Sequence, residues 1–181
     1  MTRIFIALTP KPELNKIISV LKNDQGKLLY KRAKVNWSRS NQHHITLNFI
    51  GSMEPEQKEE MFHDFDQRPP FKNLPIEIDS LSYFPNENGQ VLVANISLTP
   101  RLQTLFNEIE VTVAKIGLGM ALKTFRPHIT LARFKDKSRP FSGLIQLDDS
   151  ISSTMNSLDV YESSFDSGKT LHSLIKTYSF E

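Results

Sequence analysis

The chain has 181 residues, 39% of them apolar and 23% charged, with a formal net charge of +2 and no cysteine. This composition suits an ordinary folded core in one compact unit or two fused lobes, and it excludes disulfides, thiol nucleophiles and thiolate metal sites. No run approaches the roughly 18–20 apolar residues of a membrane span, and Met1-Thr2-Arg3 leads directly into IFIAL, too short for a secretory core, so a cytoplasmic protein is expected.

In chain order, RIFIAL reads as a buried strand, and Thr9-Pro10 opens a helix whose apolar residues Leu14, Ile17, Ile18 and Leu21 recur at helical spacing. VNW and HITLNFI follow as strands. EPEQKEEMFHDF (Glu54–Phe65) reads as a polar helix with acidic residues in its first turn, stopped by Pro69-Pro70. LPIEIDSLSYF and QVLVANISL form strands bridged by the turn residues PNENG. From Thr99-Pro100, the positions Leu102, Leu105, Phe106, Ile109, Val113 and Ile116 describe an amphipathic helix that ends near Gly117 or Gly119. HITLARF is the next strand, KDKSRPFSG a basic loop, and MNSLDVYESSF with TLHSLIKTYSF a terminal hairpin across Asp166-Ser167-Gly168.

The tetrapeptide His-Ile-Thr-Leu occurs twice, at His44–Leu47 and His128–Leu131, almost half a chain apart. A motif repeated at that spacing predicts a duplicated lobe with pseudo-twofold symmetry: a single domain over 1–181, α+β in class, bilobal, with two antiparallel-rich sheets facing a central cleft and helices outside. In a strand, His44 and Thr46 leave one face while Ile45 and Leu47 anchor the other, and the second copy does the same with His128 and Thr130. Two copies facing across a cleft present two imidazoles and two hydroxyls to a common volume, which suits a phosphate. Phosphodiester cleavage needs a base for the attacking oxygen and an acid for the departing one on opposite sides of phosphorus, and histidine serves either role near neutrality.

Five residues beyond each histidine stand Phe49 and Arg133. Strand parity turns both away from the histidine face, so Phe49 is read as core, and Arg133 needs a strand end or a bulge to reach the cleft. His43 faces the core by the same alternation, while His63 in the polar helix and His172 in the terminal hairpin are read as structural. Basic residues at Lys27–Lys34 with Arg39, and at Lys123, Arg126, Arg133, Lys135, Lys137 and Arg139, flank both copies and favour an anionic partner. Zinc-binding, P-loop and nucleophile-elbow motifs are all missing, so no metal or other cofactor is expected.

The paired H-x-T-L motifs, continuing as HITLNFIG and preceded in the second copy by FRP, resemble those of the two-histidine (2H) phosphoesterases, specifically the RNA 2',3'-cyclic phosphodiesterases once called 2'-5' RNA ligases (ThpR or LigT). RIFIAL, Trp37 and the closing strand pair also match that family's layout. The resemblance implies metal-independent hydrolysis of a 2',3'-cyclic phosphate at an RNA end to a 2'-phosphate, by a monomer. It assigns catalysis to His44 and His128 and phosphate contacts to Thr46, Thr130 and Arg133. His128 is then the base toward water and His44 the acid toward O3', with the reverse assignment open. Rival readings are a phosphodiesterase of small cyclic nucleotides or 2',5'-oligoadenylates, and a noncatalytic RNA-end binding module. Relatives often carry tyrosine near the position of His172, which points to an altered substrate preference.

Overall fold

The computed structural model describes residues 3–29, 35–118, 124–135, 143–166 and 169–181. Among them the chain runs β1 (Arg3–Leu8), α1 (Pro12–Leu29), β2 (Val35–Trp37), β3 (Ile45–Gly51), α2 (Pro55–Asp66), β4 (Leu74–Phe84), β5 (Val91–Ile96), α3 (Pro100–Lys115), β6 (His128–Phe134), β7 (Leu144–Met155), β8 (Ser157–Asp166) and β9 (Lys169–Ser179). Each helix opens on a proline, which needs no amide partner there and arrives with a helical φ. α1 starts at Pro12 rather than at Thr9-Pro10. At α3 the Thr99 hydroxyl accepts a hydrogen bond from the Leu102 amide at 3.2 Å, capping the first turn.

The strands form one antiparallel sheet in the order β7-β4-β5-β6-β3-β1-β8-β9, with β2 beside β6. The expected α+β, bilobal architecture is present, and the two anticipated sheets are the halves β9-β8-β1-β3 and β6-β5-β4-β7. They join through a single pairing between β3 and β6, Ile45 opposite Ile129. These are the second residues of the two His-Ile-Thr-Leu copies. A residue paired with its own counterpart in an antiparallel ladder lies on a local twofold axis, so the repeat in the sequence becomes a symmetry axis in the fold.

Leu14, Ile18 and Leu21 of α1, and Leu102, Ile109 and Val113 of α3, share one buried cluster with Ile6, Leu8, Ile45, Leu92, Ile129 and Leu131 of the sheet. The helices therefore cover one face, and side chains of opposite parity are left to the other. Polar contacts tie α2 to α3: Asp64 accepts from the Thr112 hydroxyl at 2.9 Å and pairs with Arg68 at 2.9 Å and Lys115 at 3.2 Å. No helix among the described residues is long and apolar enough to cross a membrane.

Strand β7 was not foreseen. It is an edge strand paired only with β4, and Asp148-Asp149-Ser150 interrupts its alternation where the pairing jumps from Ile78–Ile151 to Ser80–Gln146. β7 carries an apolar face, Ile145, Leu147 and Ile151 packed partly buried against the core, but the Asp148-Asp149-Ser150 break hides the alternation by which a strand is recognised in sequence.

Candidate active site

The junction of the two half-sheets builds the site. Continuing the Ile45–Ile129 register by one step sets Thr46 opposite His128 and His44 opposite Thr130, all on the face turned away from the helices. Both histidines and both threonines line one cavity of about 460 Å³.

Bulges at matching places bring in the next residues. Between β1 and β3 the register passes from Ala7–Thr46 to Ile6–Asn48, leaving Leu47 without an opposite number. Between β5 and β6 it passes from Val93–Thr130 to Leu92–Ala132, leaving Leu131 unmatched. Each extra residue reverses the parity beyond it, so two consecutive residues are buried in each strand, Leu47-Asn48 and Leu131-Ala132. Arg133 thereby reaches the cavity by the bulge that parity required. The same device overturns the reading of Phe49 as core: it is 57% exposed and lines the cavity.

The two imidazoles are held alike. His44 Nδ1 lies 2.8 Å from the Gln42 carbonyl oxygen, and His128 Nδ1 lies 2.7 Å from that of Arg126, two residues upstream in each case. A carbonyl can only accept, so each Nδ1 carries the hydrogen and each Nε2 is left as the basic lone pair. Their surroundings differ. His44 packs against Phe5 at 5.0 Å and edge-on to His172 at 5.7 Å, while His128 stacks on Phe84 at 4.2 Å, whose ring also lies 4.8 Å from the Arg126 guanidinium. Burial pushes His44 down to about 4 despite its bond to Gln42, helped by the positive fields of His172, His128 and Arg133. His128 is also lowered, first by burial and then by Arg126 and Arg133.

Among the described residues, the cavity is lined by Arg3, Arg133 and three histidines, with no carboxylate. Such a lining attracts an anion and keeps empty imidazoles neutral. The third histidine is His172, read from its own strand as structural but standing near the position where relatives often carry tyrosine; β9 carries it alongside Ser163 of β8, which in turn faces Arg3 of β1. His43 is structural as expected: it is 2% exposed, and its Nδ1 lies 2.8 Å from Asn15 Oδ1. His63 is exposed on α2. Of the expected basic loops, residues 30–34 and 136–142 lie outside the described residues, as do Lys123, Lys137 and Arg139. A second cavity of about 350 Å³, lined by Trp37, Arg39 and Leu171, shares Ser38, Gln42, Arg133 and Thr170 with the first. No group of three or more His, Asp or Glu among the described residues is arranged to hold a metal ion.

Comparison with known proteins agrees with this geometry. Residues 9–94 match the family described as LigT like Phosphoesterase. Over 99% of this chain and 98% of the other, the fold superposes on Escherichia coli LigT complexed with 3'-AMP, with a TM-score of 0.80 at 22% identity. The match to TT0787 of Thermus thermophilus has the same TM-score at 18% identity, covering 98% and 97% of the two chains. The MHV ns2 PDE domain is more distant, with a TM-score of 0.62, 14% identity, and 90% and 99% coverage. The matched residues are just under half of the chain, and over nearly its whole length the fold is that of E. coli LigT, so the chain is similar to the LigT-like phosphoesterases. The family match ends before the second motif, so the place of His128 in the site rests on the strand register.

Proposed function

We propose that the protein is a metal-independent phosphodiesterase, acting as a monomer on RNA that ends in a 2',3'-cyclic phosphate and leaving a 2'-phosphate. The observation that carries this reading is the cavity itself: two carbonyl-oriented imidazoles on a twofold axis, among arginines and hydroxyls, without a carboxylate. One Nε2 takes a proton from water as its oxygen bonds to phosphorus. The P–O3' bond breaks, and the other imidazole, which takes up a proton on Nε2 when the anionic substrate binds, gives that proton to O3'. Thr46, Thr130 and Arg133 hold the nonbridging oxygens and offset their growing charge.

The unequal surroundings of the two rings favour His44 as base, since the more strongly depressed group stays neutral, and His128 as acid. This reverses the order implied by the family resemblance. The adjoining Arg39 and Trp37 cavity gives room for the preceding nucleotide. Solved structures of E. coli LigT are complexed with ATP and with NADP+, which supports nucleotide recognition and keeps a small-nucleotide substrate as the second reading.

The test is product analysis of a cyclic-phosphate-ended RNA oligomer and of 2',3'-cyclic AMP, both in chelator. A 2'-phosphate released from the oligomer at the higher kcat/KM is the expected outcome. A 3'-phosphate, a strict metal requirement or no turnover would overturn the reading, and equal rates without salt dependence would shift it to the small nucleotide.

A further inference from the structure

His172 lines the cavity, yet it has neither the carbonyl bond nor the motif that defines the other two histidines. Its ring stands edge-on to His44 at 5.7 Å and to Phe5 at 4.9 Å, and its Nδ1 is buried without a hydrogen-bond partner. Burial lowers its pKa, Arg3 lines the same cavity, and no carboxylate in the lining stabilises a charged ring. A neutral imidazole must place its single hydrogen on one nitrogen. A buried N–H without an acceptor is rarer in proteins than a buried lone pair without a donor. The hydrogen therefore belongs on Nε2, the nitrogen left to the cavity, opposite to the arrangement at His44 and His128.

We propose that His172 is a substrate-contacting hydrogen-bond donor, presenting Nε2–H in its neutral form to an oxygen of the phosphoryl group held between His44 and His128. The cleft then contains two imidazoles poised to exchange protons and a third that keeps its own. A neutral donor stabilises charge developing on a phosphoryl oxygen without adding a cation to a cavity already rich in them. The proposal rests on the reading of the cleft as a phosphoryl site.

Two measurements on the full chain test it. Long-range 15N–1H NMR of the histidine rings near pH 7.5 is expected to show the Nε2–H tautomer for His172 and the Nδ1–H tautomer for His44 and His128; an Nδ1–H His172 overturns the proposal. In kinetics with 2',3'-cyclic AMP, His172→Phe keeps an aromatic ring but no donor, and it is expected to lower kcat about 100-fold. His172→Gln, whose amide N–H reaches about as far as Nε2, is expected to recover at least tenfold of that loss, a rescue that mere space-filling would not give. Wild-type rates in His172→Phe, or no rescue by glutamine, overturn the donor while leaving the phosphodiesterase reading intact. If the wild type turns over no cyclic phosphate, calorimetry with inorganic phosphate decides: about tenfold weaker binding in His172→Phe than in wild type supports the donor, and equal or absent binding overturns it.

Discussion

The two half-sheets are near copies that have been made to differ where it matters. Each supplies a histidine tied to a carbonyl two residues upstream, a threonine opposite the other copy's histidine, and a bulge at the leucine that follows. Beyond the bulge, one half delivers Phe49 to the cavity and the other Arg133. Behind the histidines, one half has Phe5 and His172 and the other Phe84 with Arg126. Symmetry supplies a pair of like-held imidazoles, and its local failure gives the cleft a direction, with Phe49 on one side and Arg133 on the other. An in-line displacement needs such a direction, because its attacking and leaving oxygens are not equivalent.

The largest expected effects break the pair itself. His44→Ala and His128→Ala should each lower turnover by about 100-fold or more. A cyclic-phosphate substrate with each variant, compared with a 4-nitrophenyl phosphodiester, sharpens the contrast, since a good leaving group needs no acid. Activity on the nitrophenyl ester should be spared in the His128 variant and lost in the His44 variant; the opposite pattern would restore the family order of roles.

Next come the residues at the matching bulges. Arg133→Ala should cost about 100-fold, mostly in kcat, because its charge opposes what develops on the phosphoryl oxygens. Phe49→Ala should raise KM for a nucleotide by about tenfold and spare kcat, the signature of a ring that stacks on a base. If both variants changed the same parameter, the functional asymmetry of the two lobes would be refuted.

Stability should follow the depressed histidines. His43 and His44 are pushed down to about 4 in the folded chain, while the unfolded chain takes up protons near 6.5. Below about pH 6.5 the unfolded state therefore binds more protons. Stability should be full above that pH and fall toward pH 4, by a few kcal/mol in all. Thermal denaturation across this window should show the fall. Phosphate should reduce it, because an anion in the cavity favours protonated rings, and His44→Gln should flatten it more than His128→Gln.

The smallest effect lies far from the cleft. Lys176 reaches both carboxylate oxygens of Asp66 at 2.8 Å on the surface, and Lys176→Met should cost about 1 kcal/mol or less in urea denaturation, with turnover unchanged.

Much of the site could be read in the chain because each His-Ile-Thr-Leu copy is a local pattern: alternation alone assigns the histidine and threonine to one face and the isoleucine and leucine to the core. Its duplication at half-chain spacing signals the lobes. Phe49 was misplaced because parity arguments assume an unbroken ladder, and a bulge is decided by the partner strand. His172 could be read from its own strand only as structural, its link to the cleft coming from the resemblance, because it lies in a hairpin remote in sequence from both motifs and meets His44 only through the pairings of β9 with β8 and β8 with β1. Strand β7 was missed because Asp148-Asp149-Ser150 splits its apolar alternation, and the pairing with β4 that bridges the split is not a local pattern.

The sequence by itself determined most of the elements, β7 excepted, and the duplicated His-Ile-Thr-Leu pair with its basic surroundings, because periodicity and residue chemistry act over a few neighbouring positions. Tertiary structure alone decided that Ile45 meets Ile129, that Phe49 and Arg133 turn inward and that a third imidazole joins the cleft. Register and bulges depend on pairing between segments far apart in the chain, and no local pattern encodes which partner a strand will find.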